Sequence, residues 1–464
     1  MRHQISFVLR SRENTTAVLD YRAVRITIGA LFTGLMIGAV GGAFRLLLSK
    51  ADDLRYALVV WAHAWPRLGW LAPVALGTFG AALARLMVAR FAPEAEGSGI
   101  QRLEALYADE IKPGSPSINL AVKFFGGLLS IGSGLALGRE GPTVQMGAAL
   151  SALASRWMVK DNEDRRVIGA AGAGAGLAVA FNAPISGSVF VFEELTSSFT
   201  PWLLVATLAA TTFAVWTMRL ILGNHFDFTV RQLSLTAVWK GWPFFVLGVL
   251  LGAGGALYNS AIIGLLRLCD RFVRISSVLR AAFIGAVVGL VAWFAPAMVG
   301  SGDNLTQAML TQRFPIAALA GIFLLRFAIG PWSYAAGCPG GLFAPMLVVG
   351  ASFGAFFGEV LNHLVPALRV TPFACAVVGM ATLFTACVRA PLTGIVLAVE
   401  MTGRGDLMLP LLSASLMAML TTMLLDRESI YETLKRRMIA RQARVPTHRD
   451  GTKIELSLSS RKTS

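Results

Sequence analysis

The stretch Gly138-Arg-Glu-Gly-Pro142-Thr-Val-Gln-Met-Gly147 carries two charged side chains, Arg139 and Glu140, in a segment that is otherwise uncharged from Phe124 to Ser155. A charged side chain at membrane depth is costly and by default marks a functional site. Successive residues of a helix do not face each other, so Arg139 and Glu140 would not simply neutralise one another. The stretch therefore predicts a membrane segment with a functional carboxylate, Glu140.

The composition around this stretch is that of a membrane protein. Apolar residues make up 55% of the 464 residues and charged residues 14%, against roughly 25% charged in soluble domains. A membrane-spanning helix needs about 20 predominantly apolar residues. Uncharged runs near or above that length cover Ile26–Phe44, Val167–Phe192, Gly241–Leu266, Ala281–Gly302, Phe327–Gly358, Val370–Val388 and Leu407–Leu425. The sequence predicts an all-α, multi-pass integral membrane protein and excludes a soluble one.

The net charge of +15 gathers at the two ends of the chain rather than in a stripe with interleaved aromatic residues. This distribution argues against a nucleic-acid partner and for contact with a lipid bilayer. Excess Lys and Arg beside spans marks cytoplasmic flanks, so both termini are expected in the cytoplasm. The basic residues are Arg2, Arg10, Arg12, Arg22 and Arg25 before the first span, and Lys435, Arg436, Arg437, Arg441 and Arg444 after the last. No metal-ligand motif is present, and neither a metal nor a cofactor is expected.

An internal repeat divides the chain. The opening stretch lines up with Gly341-Leu-Phe-Ala-Pro345-Met-Leu-Val-Val-Gly350, and Asn182-Ala-Pro-Ile-Ser-Gly-Ser-Val189 lines up with Arg389-Ala-Pro-Leu-Thr-Gly-Ile-Val396. The second pairing continues to Glu193 against Glu400. Two motifs in the same order at near-equal spacing predict two related halves, and transporter sites commonly lie between such repeats.

Glycine-marked helix starts predict an anion site. Gly138 and Gly141 allow close backbone approach, and Pro142 suits the first turn of a helix. A helix beginning there would aim unpaired N–H groups and the positive end of its dipole at an anion. Gly97-Ser98-Gly99 and Gly340-Gly341-Leu342-Phe343 are expected to do the same. Three such starts would bind an anion weakly enough for release.

These motifs together resemble the CLC family of chloride channels and transporters. Gly97-Ser-Gly-Ile100, Gly138-Arg-Glu-Gly-Pro142 and Gly341-Leu-Phe-Ala-Pro345 are similar to its three anion-pathway signatures, in the same order. The resemblance covers roughly residues 24–442 and favours the bacterial chloride/proton antiporter branch. Further matching stretches are Lys123-Phe-Phe-Gly-Gly127, Phe181-Asn-Ala-Pro184, Arg389-Ala-Pro-Leu-Thr-Gly394 and Ile430-Tyr431. The anion-pathway residues in the three signatures are Gly97, Gly99, Ile100, Gly138, Arg139, Gly141, Pro142, Gly341, Ala344 and Pro345.

The resemblance implies a fold and a set of roles. The fold would be two inverted-topology repeats with many broken and tilted helices, in a homodimer with one pathway per subunit. Ser98 and Tyr431 would offer hydroxyls to chloride, beside the backbone N–H groups of Leu342 and Phe343. Glu140 would be the external gate and proton carrier, and Glu194 would transfer protons on the internal side. The protein would exchange chloride for protons across a cell membrane, by this resemblance the inner membrane of a bacterium.

The expected organisation has six parts. They are a cytoplasmic segment 1–23, a first membrane repeat 24–223, a linker 224–237, a second repeat 238–426, a terminal helix 427–442 carrying Tyr431, and a basic cytoplasmic tail 443–464.

Some alternatives stay open at this stage. A passive chloride channel on the same fold would share Glu140, whereas channel-type relatives usually lack an acid at the Glu194 position. Gly300-Ser-Gly-Asp303 reads like the GxGD signature of intramembrane aspartyl proteases, although no companion aspartate lies in an apolar run. A fluoride exporter is disfavoured by the chloride-type pattern of the motifs at Gly97 and Gly138. Gln101 stands where the first family signature usually has proline.

Overall fold

The computed structural model describes residues 2–65, 67–231, 241–272 and 274–444, with side chains from residue 22 to residue 443. Over these residues the chain is built from α-helices joined by short loops. The expected linker 224–237 lies outside the described residues from 232 onward, and the expected tail 443–464 lies outside them from 445 onward. The helices are α1 (Arg2–Ala62), α2 (Leu71–Phe91), α3 (Ile100–Tyr107), α4 (Pro116–Gly132), α5 (Glu140–Met158), α6 (Asn162–Phe181), α7 (Pro184–Phe190), α8 (Pro201–Leu222), α9 (Pro243–Arg271), α10 (Ser277–Phe294), α11 (Asp303–Thr311), α12 (Ile316–Ala335), α13 (Phe343–Leu364), α14 (Pro372–Val388), α15 (Pro391–Thr402), α16 (Met408–Leu424) and α17 (Ile430–Arg444).

Two prolines in the aligned repeat motifs begin new helices. Proline lacks an N–H, which the first turn of a helix does not need, and its fixed φ suits that position. Pro184 begins α7 directly after α6 ends at Asn182, which has a left-handed φ of 53°. Pro391 begins α15 in the same way after Arg389, with a φ of 67°. Pro184 thereby divides the apolar run Val167–Phe192 between α6 and α7, and Pro391 separates α15 from α14.

The multi-pass prediction is confirmed by the lengths and surfaces of these helices. Among the described residues, eight helices are long and apolar enough to cross a membrane, and two shorter apolar helices, Pro372–Val388 and Pro391–Thr402, accompany them. Their outward faces carry exposed apolar side chains such as Phe79, Leu220 and Leu424. Such a surface is stable against lipid and unfavourable against water. The centre is formed by α5, α6, α13 and α14, whose small residues allow close packing.

Two glutamates tie the repeats together by reciprocal capping. Glu193 accepts hydrogen bonds from Leu392 N at 3.0 Å and from Thr393 N and Oγ1, both at 2.7 Å, at the start of α15. Glu400 does the same at the start of α7, where it accepts from Ile185 N at 2.9 Å and from the N and Oγ of Ser186 at 2.7 and 2.6 Å. A carboxylate at a helix N-terminus accepts hydrogen bonds from N–H groups that have no partner within the helix. Its negative charge also interacts favourably with the positive end of the helix dipole. The exchange of equivalent contacts shows that the aligned sequence motifs are also structurally equivalent.

The equivalent helices α5 and α13 meet at their N-termini. Gly138 N donates to Gly341 O at 2.9 Å, and Gly341 N donates to Gly138 O at 2.7 Å. This antiparallel pair precedes both helices, so the two helices run away from a common point in different directions. Such a head-to-head meeting is the arrangement expected of an inverted repeat. It places two positive helix ends at the centre of the molecule.

Candidate functional site: a carboxylate among helix N-termini

Two glycine loops, each before a short helix, frame the centre. Gly97 and Gly99 precede α3 with φ values of 64° and 86°, and Gly300 and Gly302 precede α11 with φ values of 73° and 91°. Residues with a side chain rarely adopt these left-handed values, which explains the glycines. The loops are equivalent in the repeat, because the offset of 203 residues between Gly138 and Gly341 also separates Gly97 from Gly300. The GxGD motif is thus the second copy of the Gly97 motif.

A buried cation holds each loop. Lys123 Nζ donates to Gly97 O at 2.7 Å and to Ser98 O at 3.1 Å. Arg326, 203 residues further on, donates to Gly300 O at 3.0 Å and to Ser301 O at 2.9 Å. Both cations are buried, and their bonds satisfy carbonyl groups that have turned away from any helix.

Glu140 lies at the meeting point of α5 and α13. Its side chain is fully buried, and Oε1 accepts a hydrogen bond from Phe343 N at 2.6 Å, whereas Oε2 has no partner among the described residues. A Cβ added at Gly138 would lie 2.6 Å from the Glu140 carboxyl carbon, and one added at Gly341 would lie 2.5 Å from it. Both glycines therefore make room for this carboxylate. A negative group occupies the place where the helix N-termini favour an anion.

Arg139 points away from Glu140 into an ion-pair network. Its guanidinium donates to Ala180 O at 2.7 Å and to the carboxylates of Asp227 and Asp303, both at 3.0 Å. Asp227 also accepts from Arg45 at 2.8 Å. The predicted lack of pairing between Arg139 and Glu140 agrees with this geometry. Asp303, the aspartate of the GxGD motif, links α11 to the start of α5 through this ion pair.

Two hydroxyls without protein partners lie beside the Glu140 carboxylate. Ser98 Oγ and Tyr431 Oη are both fully buried, and neither has a hydrogen-bond partner among the described residues. Ser98 packs against Gly141 of α5, where an added Cβ would lie 2.7 Å from Ser98 Oγ. The Tyr431 ring lies 5.9 Å from that of Phe343, the residue that donates to Glu140. Buried hydroxyls are rarely left unsatisfied, so both are suited to a ligand that accepts hydrogen bonds.

The backbone at the start of α13 offers further donors. Leu342 is the N-cap of α13 and is fully buried. Its N–H donates to no acceptor in the described part of the chain, and that of Phe343 is used by Glu140. Ala344 and Pro345 form the first turn, where the Ala344 N–H has no partner within its own helix and Pro345 has no N–H to donate.

Glu194 lies apart from this centre, next to a second carboxylate. It belongs to a π-helical segment, Val191–Leu195, that follows α7, and it lies close to Glu104 of α3. Both carboxylates line a cavity of about 630 Å³ together with Glu432 and Lys435. Glu193, the neighbour of Glu194, is instead engaged in capping α15. Both Glu193 and Glu194 line the cavity, and Glu194 is the one of the two whose carboxylate caps no helix in the described part of the chain.

Gln101 does not disturb the Gly97 loop, and the described residues form no metal-binding cluster. Gln101 is the second residue of α3 and is buried, and the glycine loop before it keeps its left-handed geometry. In the part of the chain that the structure describes, no group of three or more His, Cys, Asp or Glu side chains is placed to hold a metal ion.

Comparison with known proteins decides the family. The model of the voltage gated chloride channel family matches residues 80–423, about three quarters of the chain. This chain belongs to the CLC family. The H(+)/Cl(-) exchange transporter ClcA of Vibrio parahaemolyticus is 36% identical over 428 residues, which cover 89% of this chain and 90% of that protein. The transporter of the same name from Cronobacter sakazakii is 35% identical, with 91% of this chain and 92% of that protein covered.

The CLC fold is also found among solved structures. The X-ray structure of a slow cyanobacterial Cl⁻/H⁺ antiporter matches with a TM-score of 0.86 at 30% identity, covering 90% of this chain and 99% of that one. A eukaryotic CLC transporter matches with a TM-score of 0.75 at 21% identity, covering 89% of this chain and 74% of that one. At that identity the likeness shows the fold alone. The predicted family and fold are confirmed by these matches.

Two features of the site were not predicted from the sequence. Glu104 was not predicted to lie beside Glu194, because no pattern in the sequence links α3 with the segment that follows α7. The equivalence of Lys123 and Arg326 was not predicted either, although the two residues are separated by the same 203-residue offset as the repeat.

Proposed function

We propose that this protein is a chloride/proton antiporter in which Glu140 is both the gate of the chloride path and a carrier of the proton. The observation that carries the proposal is the hydrogen bond of 2.6 Å between Glu140 Oε1 and Phe343 N. In this bond a titratable carboxylate occupies a backbone N–H group that could otherwise donate to a bound anion. The printed names of the ClcA relatives and of the cyanobacterial antiporter support the same function.

Chloride binds, in this proposal, through hydrogen bonds rather than a full positive charge. The hydroxyls of Ser98 and Tyr431 and the N–H groups of Leu342 and Phe343 are its donors. Such neutral donors at helix ends hold an anion while allowing its release. The ionised Glu140 carboxylate competes for the Phe343 N–H. Protonation removes its negative charge, weakens its hold on the helix ends and frees the path for chloride.

The proton needs a second carrier toward the opposite side, and Glu194 fills that role. Helix N-termini bind an anion but cannot carry a proton, so coupled exchange requires titratable side chains. Glu194 faces a cavity of about 630 Å³ through which water can reach it. Its contact with Glu104 provides a second acceptor for the same proton.

The orientation proposed is multi-pass with both termini in the cytoplasm, in the inner membrane of a bacterium. Arg22 of α1 pairs with Asp164 of α6 at 2.8 Å, and Arg166 of α6 pairs with Asp109 at 2.7 Å. Lys435 Nζ of α17 lies 3.9 Å from Glu110 Oε2. The first and last described helices therefore meet the same face, and its basic residues favour the cytoplasm.

A homodimer with one pathway per subunit is proposed as the assembly. Ser98, Glu140, Phe343 and Tyr431 all come from one chain, so each subunit holds a complete set of donors and its own gate. The boundaries of the two repeats, the linker and the terminal helix are proposed as expected from the sequence.

The test is simultaneous recording of chloride and proton fluxes in proteoliposomes that contain the purified protein. A chloride gradient should drive protons uphill in a fixed ratio to chloride. Chloride flux without protons would replace the antiporter with a passive channel. Absence of chloride flux would refute both.

A further inference from the structure

A separate cavity lies between α3, α5 and the first turns of α4 and α6, on the face where Arg22 of α1 and Lys435 of α17 make their ion pairs. Its volume is about 530 Å³, which is within the range of small-ligand sites. We call it the arginine pocket, after the four arginines that line it, Arg102, Arg156, Arg165 and Arg166. Apolar side chains of α3 and α5 form one of its walls.

Two of these arginines lack a carboxylate partner. Arg166 is held by Asp109, and Glu94 is the carboxylate that acts on Arg102. Arg165 donates through Nε to Val159 O at 2.8 Å, and no ion pair among the described residues involves it. Arg156 makes neither an ion pair nor a hydrogen bond within the described part of the chain and is exposed. The pocket therefore has an excess of positive charge, which suits an anion with several oxygen atoms.

The pocket also holds acceptors that lack donors. Gln145 Oε1 and Asn119 Oδ1 are buried and have no hydrogen-bond partner among the described residues. Gln145 is more than nine-tenths buried. An acceptor left without a donor is unfavourable, and a simple anion cannot satisfy it. A ligand that carries both a negative group and hydroxyl groups would satisfy the arginines and these two oxygens together.

The neighbouring residues place the pocket at the level of lipid headgroups. Trp157, next to Arg156 in the last turn of α5, is 92% exposed. Exposed tryptophans concentrate at the border between membrane and water, and long basic side chains reach toward the same level. The wall formed by Leu103, Ala149 and Ala152 continues the pocket with apolar surface.

We propose that the arginine pocket binds the headgroup of an anionic phospholipid that carries free hydroxyl groups, such as phosphatidylglycerol. Arg156 and Arg165 bind the phosphate, because guanidinium groups match phosphate oxygens in pairs. Asn119 and Gln145 accept hydrogen bonds from the glycerol hydroxyls. The apolar wall covers the first methylene groups of the acyl chains. None of these residues takes part in the proposed exchange, so this inference stands independently of it.

The experiment measures lipid binding to the purified full-length protein in detergent by native mass spectrometry. The probes are dioctanoyl phosphatidylglycerol, dioctanoyl phosphatidylcholine, dioctanoyl phosphatidic acid and glycerol 3-phosphate. Phosphatidylglycerol should bind about tenfold more tightly than phosphatidylcholine. Arg156→Gln should weaken phosphatidylglycerol binding about fivefold, and the double variant with Arg165→Gln about 25-fold, because each basic residue near an anionic headgroup contributes by a similar factor. Asn119→Leu should narrow the preference for phosphatidylglycerol over phosphatidic acid.

Matched controls separate the pocket from general surface charge. Arg90→Gln and Arg313→Gln remove exposed arginines that have no ion pair among the described residues and lie outside the pocket. Both variants should bind phosphatidylglycerol like the parent protein. Because Arg156 donates to no protein group, its replacement should leave the melting temperature without lipid unchanged.

Three results would overturn the proposal. Equal binding of phosphatidylglycerol and phosphatidylcholine would remove the role of the charge. A control variant that weakens binding as much as Arg156→Gln would assign the effect to the surface as a whole. Binding of glycerol 3-phosphate as tight as that of phosphatidylglycerol would assign the pocket to a soluble phosphate ester and contradict the proposal that it binds a lipid.

Discussion

Lys123→Met is the substitution whose effect follows most directly from the site geometry. Methionine keeps the length of the side chain but removes the ammonium group from Gly97 O and Ser98 O, 2.7 and 3.1 Å away. Gly97 O retains a second donor, Gly340 N at 3.1 Å, so Ser98 O is the group left unpaired. A hydrogen bond from a charged donor contributes about 1.5–3 kcal/mol. Removal of the buried charge also relieves part of its desolvation cost, so we expect a loss of about 2 kcal/mol in unfolding free energy.

The same change should weaken chloride binding. With Ser98 O unpaired, the Gly97 loop no longer holds Ser98 Oγ in place, and the loss of one such donor costs about 1.5 kcal/mol. This corresponds to about a tenfold rise in the chloride dissociation constant, measured by isothermal titration calorimetry.

Arg326→Met is the matched control for this prediction. It removes the equivalent cation from the equivalent loop, whose carbonyls Gly300 O and Ser301 O lie 3.0 and 2.9 Å away. The Gly300 loop carries none of the proposed chloride donors. We expect Arg326→Met to lower stability by a similar amount and to leave chloride affinity within twofold of the parent. Equal losses of affinity in both variants would refute the local reasoning and assign the effect to the charge itself.

The remaining predictions concern the residues proposed to take part in transport; the glutamate variants are tested by flux recordings in proteoliposomes and Ser98→Pro by calorimetry. Glu140→Gln should mimic the protonated gate, so that chloride flux persists, proton coupling is lost and the pH dependence of chloride flux largely disappears; uphill proton movement in this variant would contradict the gate. Glu194→Gln should keep chloride flux and abolish proton flux, whereas Glu193→Gln, which alters the cap of α15, should keep both at reduced protein stability. If Glu194→Gln retains both fluxes in the parent ratio, the port lies elsewhere. Ser98→Pro should raise the preference for nitrate over chloride in calorimetry, and unchanged relative affinities would count against Ser98 as a chloride ligand.

The membrane class, the repeat and the central position of the Glu140 carboxylate could be predicted from the sequence because each has a signal in the residue pattern. Glu140 stands out as a charge in an uncharged segment, and Pro184 and Pro391 mark helix starts whatever surrounds them. The match between Glu193 and Glu400 was also visible as an alignment. Its meaning was not, because each carboxylate caps a helix about 200 residues away in the chain.

Other parts of the site depend on contacts that no local pattern encodes. Lys123 binds backbone carbonyls, which every residue has, so its partners leave no trace in residue types. Asp303 pairs with Arg139 across 164 residues, and its motif taken alone resembled that of a protease. Glu104 meets Glu194 where the π-helical segment packs against α3, a contact between parts of the chain that are far apart in sequence.

The reciprocal caps of α7 and α15 restrict how this molecule can move. Sliding or rocking one half against the other would break three hydrogen bonds at Glu193 and three at Glu400 together, as well as the paired Gly138 and Gly341. The two halves are therefore held rigidly together, and the motion that breaks the fewest hydrogen bonds is the rotation of a single side chain. In the proposed exchange, turnover would then be limited by the rotation of the Glu140 side chain and the arrival of a proton rather than by the reorientation of whole halves.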